Sequence, residues 1–271
     1  MLTARRLGTI AGIDVRVHWS LLIVAGLLTF TLAGSLLPSA VPGIAAAAAV
    51  VLGVTGAVLF LGSILAHELS HSLVAQRNGI GVKRITLWLL GGLAELEREP
   101  RSAGAEFRIA AAGPAMSLAL AVVLAGAAWL VGLVTTPLAI VLGWLALVNV
   151  VLAVFNLFPA APLDGGRILR AALWRRSGDR WTSMATASRA GQVFGVVLGA
   201  LALLQVVNGW GNGLWTALLA WFVWSAARGE LAHARHQQRA ELLRERLRST
   251  SPWGPGVRAT VVDDSHPPRD G

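Results

Sequence analysis

The side chains best suited to chemistry in this 271-residue chain stand in Ala66-His67-Glu68-Leu69-Ser70-His71, an H-E-x-x-H string that follows the charge-free apolar run of residues 44–65. Spaced four apart on a helix, His67 and His71 project from one face, so two imidazoles can reach one metal ion, and Glu68 beside them can take a proton. A zinc ion that activates water needs a third protein ligand and a fourth position left to solvent. Cysteine is absent, which excludes thiolates. Among the 14 Asp and Glu, only Glu68 and Asp164 interrupt or directly border an apolar span; the rest are assigned to charged loops, the amino-terminal arm and the tail. An ionisable group in hydrocarbon is costly unless paired or liganded, so Asp164 is the expected third ligand. In a soluble, charge-rich helix the same string would read as a polar face that matches by accident. Within a membrane span that reading ranks well below a metal site.

The setting is set by composition. Mean hydropathy is +0.64, with 55% hydrophobic and 14% charged residues, too few charges for a soluble surface. A net charge of +9 would suggest nucleic acid in a soluble protein. Here its distribution explains it better, and no nucleic-acid partner is expected. All 23 Lys and Arg fall in the amino-terminal arm, in the polar segments 79–108 and 167–189 with their flanks, and in the tail. The connections 35–43, 134–137 and 208–213 carry none. The positive-inside rule therefore places both termini in the cytoplasm of a multi-pass cell-membrane protein. It also puts His71, shortly before Arg77, and Asp164, shortly before Arg167, near the same cytosolic face.

The elements needed to position these groups follow. The expected fold class is an all-α integral membrane protein with six transmembrane helices at about 17–37, 44–77, 109–133, 138–158, 190–207 and 210–227, plus a small membrane-associated β-hairpin or sheet. Residues 1–228 would form the membrane domain, 229–248 a basic amphipathic cytosolic helix, and 249–271 a disordered tail. A straight helix over 44–77 would cover roughly 50 Å against a hydrocarbon core of about 30 Å, so it must tilt or protrude. Residues 9–15 could run as one short strand, and 82–96 as two strands around Gly91-Gly92. That hairpin either accepts an extended peptide at its edge or simply rests on the membrane surface. Asn149 and Asn156 share nearly one face of the fourth span; Asn149 is expected to hydrogen-bond between helices. Asn156 instead leads into Leu157-Phe158-Pro159-Ala160-Ala161-Pro162-Leu163-Asp164-Gly165-Gly166, where two prolines and two glycines break the helix and free Asp164 to turn toward the metal. His18 is expected to be structural, and His233, His236 and His266 to be solvated tail residues.

Three motifs together resemble the site-2 protease family of intramembrane zinc metalloproteases. They are His67-Glu68-Leu69-Ser70-His71, the N-x-x-P-x-x-P-L-D-G-G form of residues 156–166, and Ala112-Gly113-Pro114-Ala115 between them; the likeness extends over roughly residues 5–228. The resemblance implies one zinc per chain held by His67, His71 and Asp164, with Glu68 as general base. It also implies that Asn156 helps hold substrate or stabilise the oxyanion, and that the Gly91-Gly92 hairpin engages unwound substrate. The loops are too short for the PDZ domain and the tail too short for the CBS pair found in some relatives, so the compact six-span prokaryotic type is implied. Ser117 stands where many relatives have asparagine and reads as a packing variation. The implied function is hydrolysis of a peptide bond within or next to the transmembrane helix of a single-span membrane protein, such as an anti-sigma factor or a membrane-tethered transcription regulator, in regulated intramembrane proteolysis. Two other readings use the same residues: a multispan metal transporter, which leaves Glu68 unexplained, and an inactive scaffold that binds single-span partners.

Overall fold

The computed structural model describes residues 4–89 and 91–249. Strands β1 (Ala4–Ile10) and β2 (Ile13–His18) form an antiparallel hairpin. The chain was expected to pass straight through residues 9–15, but Ala11 and Gly12 take positive φ angles of 52° and 78° and reverse it. Two successive left-handed residues make the tight turn that matches strand twist, and an Ala-Gly pair is a weak sequence signal for it.

Helix α1 (Leu21–Thr31), a π-helical stretch over Leu32–Leu36 and the short α2 (Leu37–Ala40) then run on as one rod, followed by α3 (Ala46–Arg77). Strands β3 (Val82–Trp88) and β4 (Gly91–Leu96) form the expected hairpin. Because β3 pairs in parallel with β2, the sheet order is β1-β2-β3-β4, and β4 is an edge strand. Alternation along β2 and β3 sends Ile13, Ile85 and Leu87 inward, where they pack with Ala75, Ile80 and Ile109. The carboxy-terminal end of α3 thereby lies against the sheet.

Helix α4 (Ala103–Gly132) starts six residues before the expected third span, because Ser102 caps it by accepting a hydrogen bond from the Ala105 N–H. Helices α5 (Thr136–Asn156), α6 (Asp164–Ser177) and α7 (Arg180–Val207) follow. The polar segment between the fourth and fifth expected spans is thus largely helical: Gly178, in the left-handed region at φ 73°, ends α6, and the Asp179 carboxylate restarts the helix by capping the Trp181 and Thr182 N–H groups. Helix α8 (Gly213–Ser249) runs without a break from the apolar 214–227 into the basic half. Its later part lies along α7, where the Trp181 indole donates to Glu241 Oε1 at 2.6 Å and Gln238 donates to Thr182 Oγ1 at 2.9 Å.

Five helical stretches among the described residues are long and apolar enough to cross a membrane: Leu21–Ala40, α3, α4, α5 and α7. The count is five rather than the expected six. The apolar part of α8 ends at Arg228 and is too short by this measure. The apolar surface fits a lipid environment: Phe30 on α1 is 75% exposed, and Val122 and Trp129 on α4 are 74% and 70% exposed. The chain is a multi-pass membrane protein. Asn149 plays the expected interhelical role, donating to Ser63 Oγ on α3 at 3.2 Å. The expected disordered tail, and His266 with it, lies outside the described residues from residue 250 on.

Candidate metal centre

The H-E-x-x-H string occupies the carboxy-terminal part of α3, and helical spacing brings the His67 and His71 rings to 4.9 Å between centroids, nearly edge to face. Asp164 is the first residue of α6, delivered by the proline- and glycine-rich turn that follows α5. The three side chains meet in a buried cluster. His67 Nε2 and His71 Nε2 lie 3.2 and 3.1 Å from Asp164 Oδ2, and 3.2 Å from each other.

The second nitrogen of each ring is held by α4. His71 Nδ1 is 2.6 Å from the Ile109 carbonyl, which can only accept, so Nδ1 carries a proton and Nε2 is the nitrogen left facing the cluster. His67 Nδ1 is 2.9 Å from Ser117 Oγ, a side chain with no exposed surface. Ser117, read from sequence as a packing variation, therefore orients a proposed ligand. A signal was available in the small residues Ala110, Gly113, Pro114, Ser117 and Ala121, which recur on one face of α4 and mark it for a close approach.

Donor chemistry and spacing both fit zinc. Ligands about 2.0–2.1 Å from one tetrahedral zinc stand about 3.3 Å apart, which the three separations match. Gly113 keeps the space between them clear. A Cβ at this position would lie 2.2 Å from His71 Nε2 and 2.5 Å from His67 Nε2, close to where a shared ion would sit.

Glu68 is half-buried beside the cluster, and its side chain rests against β4: a Cβ on Gly92 would lie 2.2 Å from Glu68 Cγ and 2.9 Å from Oε1. The sheet edge and the candidate base are therefore in direct contact, which spacing in the sequence could not reveal. Asn156 closes α5, and its amide donates to the Leu152 carbonyl at 2.9 Å, within its own helix. Among the described residues no hydrogen bond ties Asn156 to the three-donor cluster. His18 is buried, with Nδ1 2.8 Å from Ser20 Oγ, which also accepts from the Leu89 N–H. That is the structural role expected of it. His233 is exposed, as expected of it, while one face of its ring packs edge-on against Trp181 at 6.1 Å and Nε2 lies 3.8 Å from Glu99.

The model of peptidase family M50 matches residues 55–136 and 132–202. Among curated proteins, the chain is 48% identical over 236 residues to "Putative zinc metalloprotease Rip3" of Mycobacterium tuberculosis, covering 86% of this chain and 60% of that protein. It is 36% identical over 239 residues to "Putative zinc metalloprotease sll0528" of Synechocystis, covering 87% and 62%. The chain thus spans about 60% of the length of these curated relatives. The solved structure of the site-2 protease from Methanocaldococcus jannaschii superposes with a TM-score of 0.56 at 30% identity, covering 84% of this chain and 95% of that one. On the match to the family model and this superposition, the chain belongs to peptidase family M50, the site-2 protease family.

Proposed function

We propose that this protein is a zinc-dependent intramembrane endopeptidase that hydrolyses a peptide bond within or next to the transmembrane helix of a membrane-anchored substrate. The observation that carries the reading is the buried cluster of two imidazole nitrogens and one carboxylate oxygen at 3.1–3.2 Å, with Glu68 adjoining. His67, His71 and Asp164 hold the ion. When bound, zinc supplies a water with a pKa near about 7 and a Lewis acid for the scissile carbonyl. Glu68 accepts the proton of the attacking water and later passes it to the leaving amine. Asn156, at the helix break, orients substrate or the developing oxyanion.

The substrate helix must unwind before cleavage, because helical hydrogen bonds occupy the scissile carbonyl. Edge strand β4 lies against Glu68 through Gly92, so a substrate segment added to that edge would be extended beside the base. The domain reading is a membrane domain over residues 1–228 that includes the apolar part of α8 as a sixth crossing. The basic 229–248 would then be a cytosolic extension with both termini in the cytoplasm, as the Lys and Arg distribution supports. The substrate class is a single-span protein, such as an anti-sigma factor or a membrane-tethered transcription regulator.

The test is cleavage of a model transmembrane substrate by purified protein in detergent, with and without a zinc chelator. Glu68→Gln should retain zinc and lose cleavage by at least about 10²-fold. Normal cleavage by that variant would remove Glu68 from the mechanism. Zinc transport across vesicles without proteolysis would favour a carrier instead.

A further inference from the structure

Glu106, assigned from sequence to a charged loop, has no exposed surface on α4, one turn before Ile109. Its carboxylate accepts a hydrogen bond from the Arg170 guanidinium, and Oε1 lies 4.0 Å from Arg167 Nε. Both arginines are on α6, three and six positions beyond Asp164, with side chains only 24% and 11% exposed.

The two helices joined by this ion pair are the two that complete the metal centre. Helix α4 holds both imidazoles, through Ile109 and Ser117, and α6 delivers Asp164. We propose that Glu106, with Arg170 and Arg167, is a positioning device that fixes the register of α6 on α4, and so the distance between the carboxylate and the two imidazoles. The proposal rests on the metal reading of the site.

Apolar packing here cannot set that register alone. The buried apolar residues next to the pair in sequence are small, Ala110 on α4 and Ala171 on α6, while Gly165 and Gly166 pack on the Leu157–Ala161 turn rather than on α4, and contacts between small residues barely resist sliding. A slip of one residue moves a helix by about 1.5 Å, enough to take Asp164 Oδ2 out of reach of a shared ion. An ion pair also costs more to bury than apolar residues of equal volume, so stability alone is a poor reason for one here. Glu106 Oε2 and Arg170 Nε, moreover, find no further hydrogen-bond partner among the described residues, so the pair is not optimised for stability. A directional link that carries register explains it better.

The test measures zinc affinity of the full chain in detergent by chelator competition, alongside kcat, KM and helical content. Glu106→Gln should bind zinc about 10–100-fold more weakly, the scale seen when groups supporting metal ligands are lost, with kcat reduced and KM unchanged. Arg170→Lys, which keeps the charge, should recover part of the loss. If Glu106→Gln fails to fold, the doubly neutral E106Q/R170Q leaves Arg167 as the remaining charge partner of the nearby Glu230 and must show the same weakened zinc binding. Wild-type zinc affinity in either neutral variant would overturn the register role while leaving the metal reading intact. Wild-type protein that binds no zinc at all would overturn both.

Discussion

Replacing Gly113 by alanine probes the metal centre without touching a proposed ligand. In an ordinary helix interior this change stabilises by about 1 kcal/mol, because glycine is the poorer helix former. At Gly113 the added methyl carbon would lie 2.2 Å and 2.5 Å from the two Nε2 atoms. Contact between carbon and a ring nitrogen needs about 3.5 Å, so a displacement of about 1 Å is forced. The helix backbone gives little, so the imidazoles must swing away, straining the His71–Ile109 and His67–Ser117 hydrogen bonds of 2.6 and 2.9 Å. Each buried hydrogen bond lost costs about 1–3 kcal/mol, giving about 2–6 kcal/mol against the zinc-bound geometry, or about 30-fold to 10⁴-fold in affinity. Zinc content by elemental analysis and affinity by chelator competition measure this directly, with thermal unfolding as a control. Unchanged zinc affinity in a variant of equal or higher Tm would refute the claim that α4 borders the ion's position.

Three further outcomes follow. Ser117→Ala should weaken zinc binding by about 10–100-fold without altering the ligand set, since it frees only the far nitrogen of His67; chelator competition reads it. Asn156→Ala should leave zinc affinity unchanged but lower kcat by about 10²–10³, and a loss of zinc instead would move Asn156 from substrate to metal. At the start of α7, the Thr182 hydroxyl, together with the Thr182 and Trp181 N–H groups, holds the Asp179 carboxyl below its ordinary range. A lowered folded-state pKa contributes stability above the unfolded value of about 3.9 that is lost as pH falls through the folded one. Asp179→Ala should therefore cost about 1 kcal/mol near neutrality and flatten the acid limb of a Tm against pH curve.

The grouping of His67, His71 and Asp164 was legible because chemistry and cost agreed: few acidic residues fall beside apolar runs, and the fold brings these three side chains together. The same sorting misplaced Glu106, since proximity to Arg101 and Arg108 in sequence marks a loop until a helix cap at Ser102 draws the segment into α4. Ser117 was misjudged because a single serine carries no sign of what lies across from it; only the packing of α3 on α4 brings His67 there. The amino-terminal hairpin escaped notice because its turn depends on Ala11 adopting a positive φ that its side chain disfavours. Contact between Gly92 and Glu68 joins residues from a strand and a helix, and no local pattern encodes it. The expected sixth crossing illustrates a different difficulty: α8 is helical throughout, and its apolarity fades along a continuous rod rather than stopping at a break.

X-ray absorption at the zinc edge tests the central claim most directly. Protein purified in detergent without chelator should hold one zinc per chain, with two imidazole nitrogens and oxygen ligands at about 2.0–2.2 Å. The imidazole scattering should fall by half in His71→Ala that still retains metal. A zinc environment without imidazole, or a stoichiometry near zero in protein that remains folded, would contradict the account.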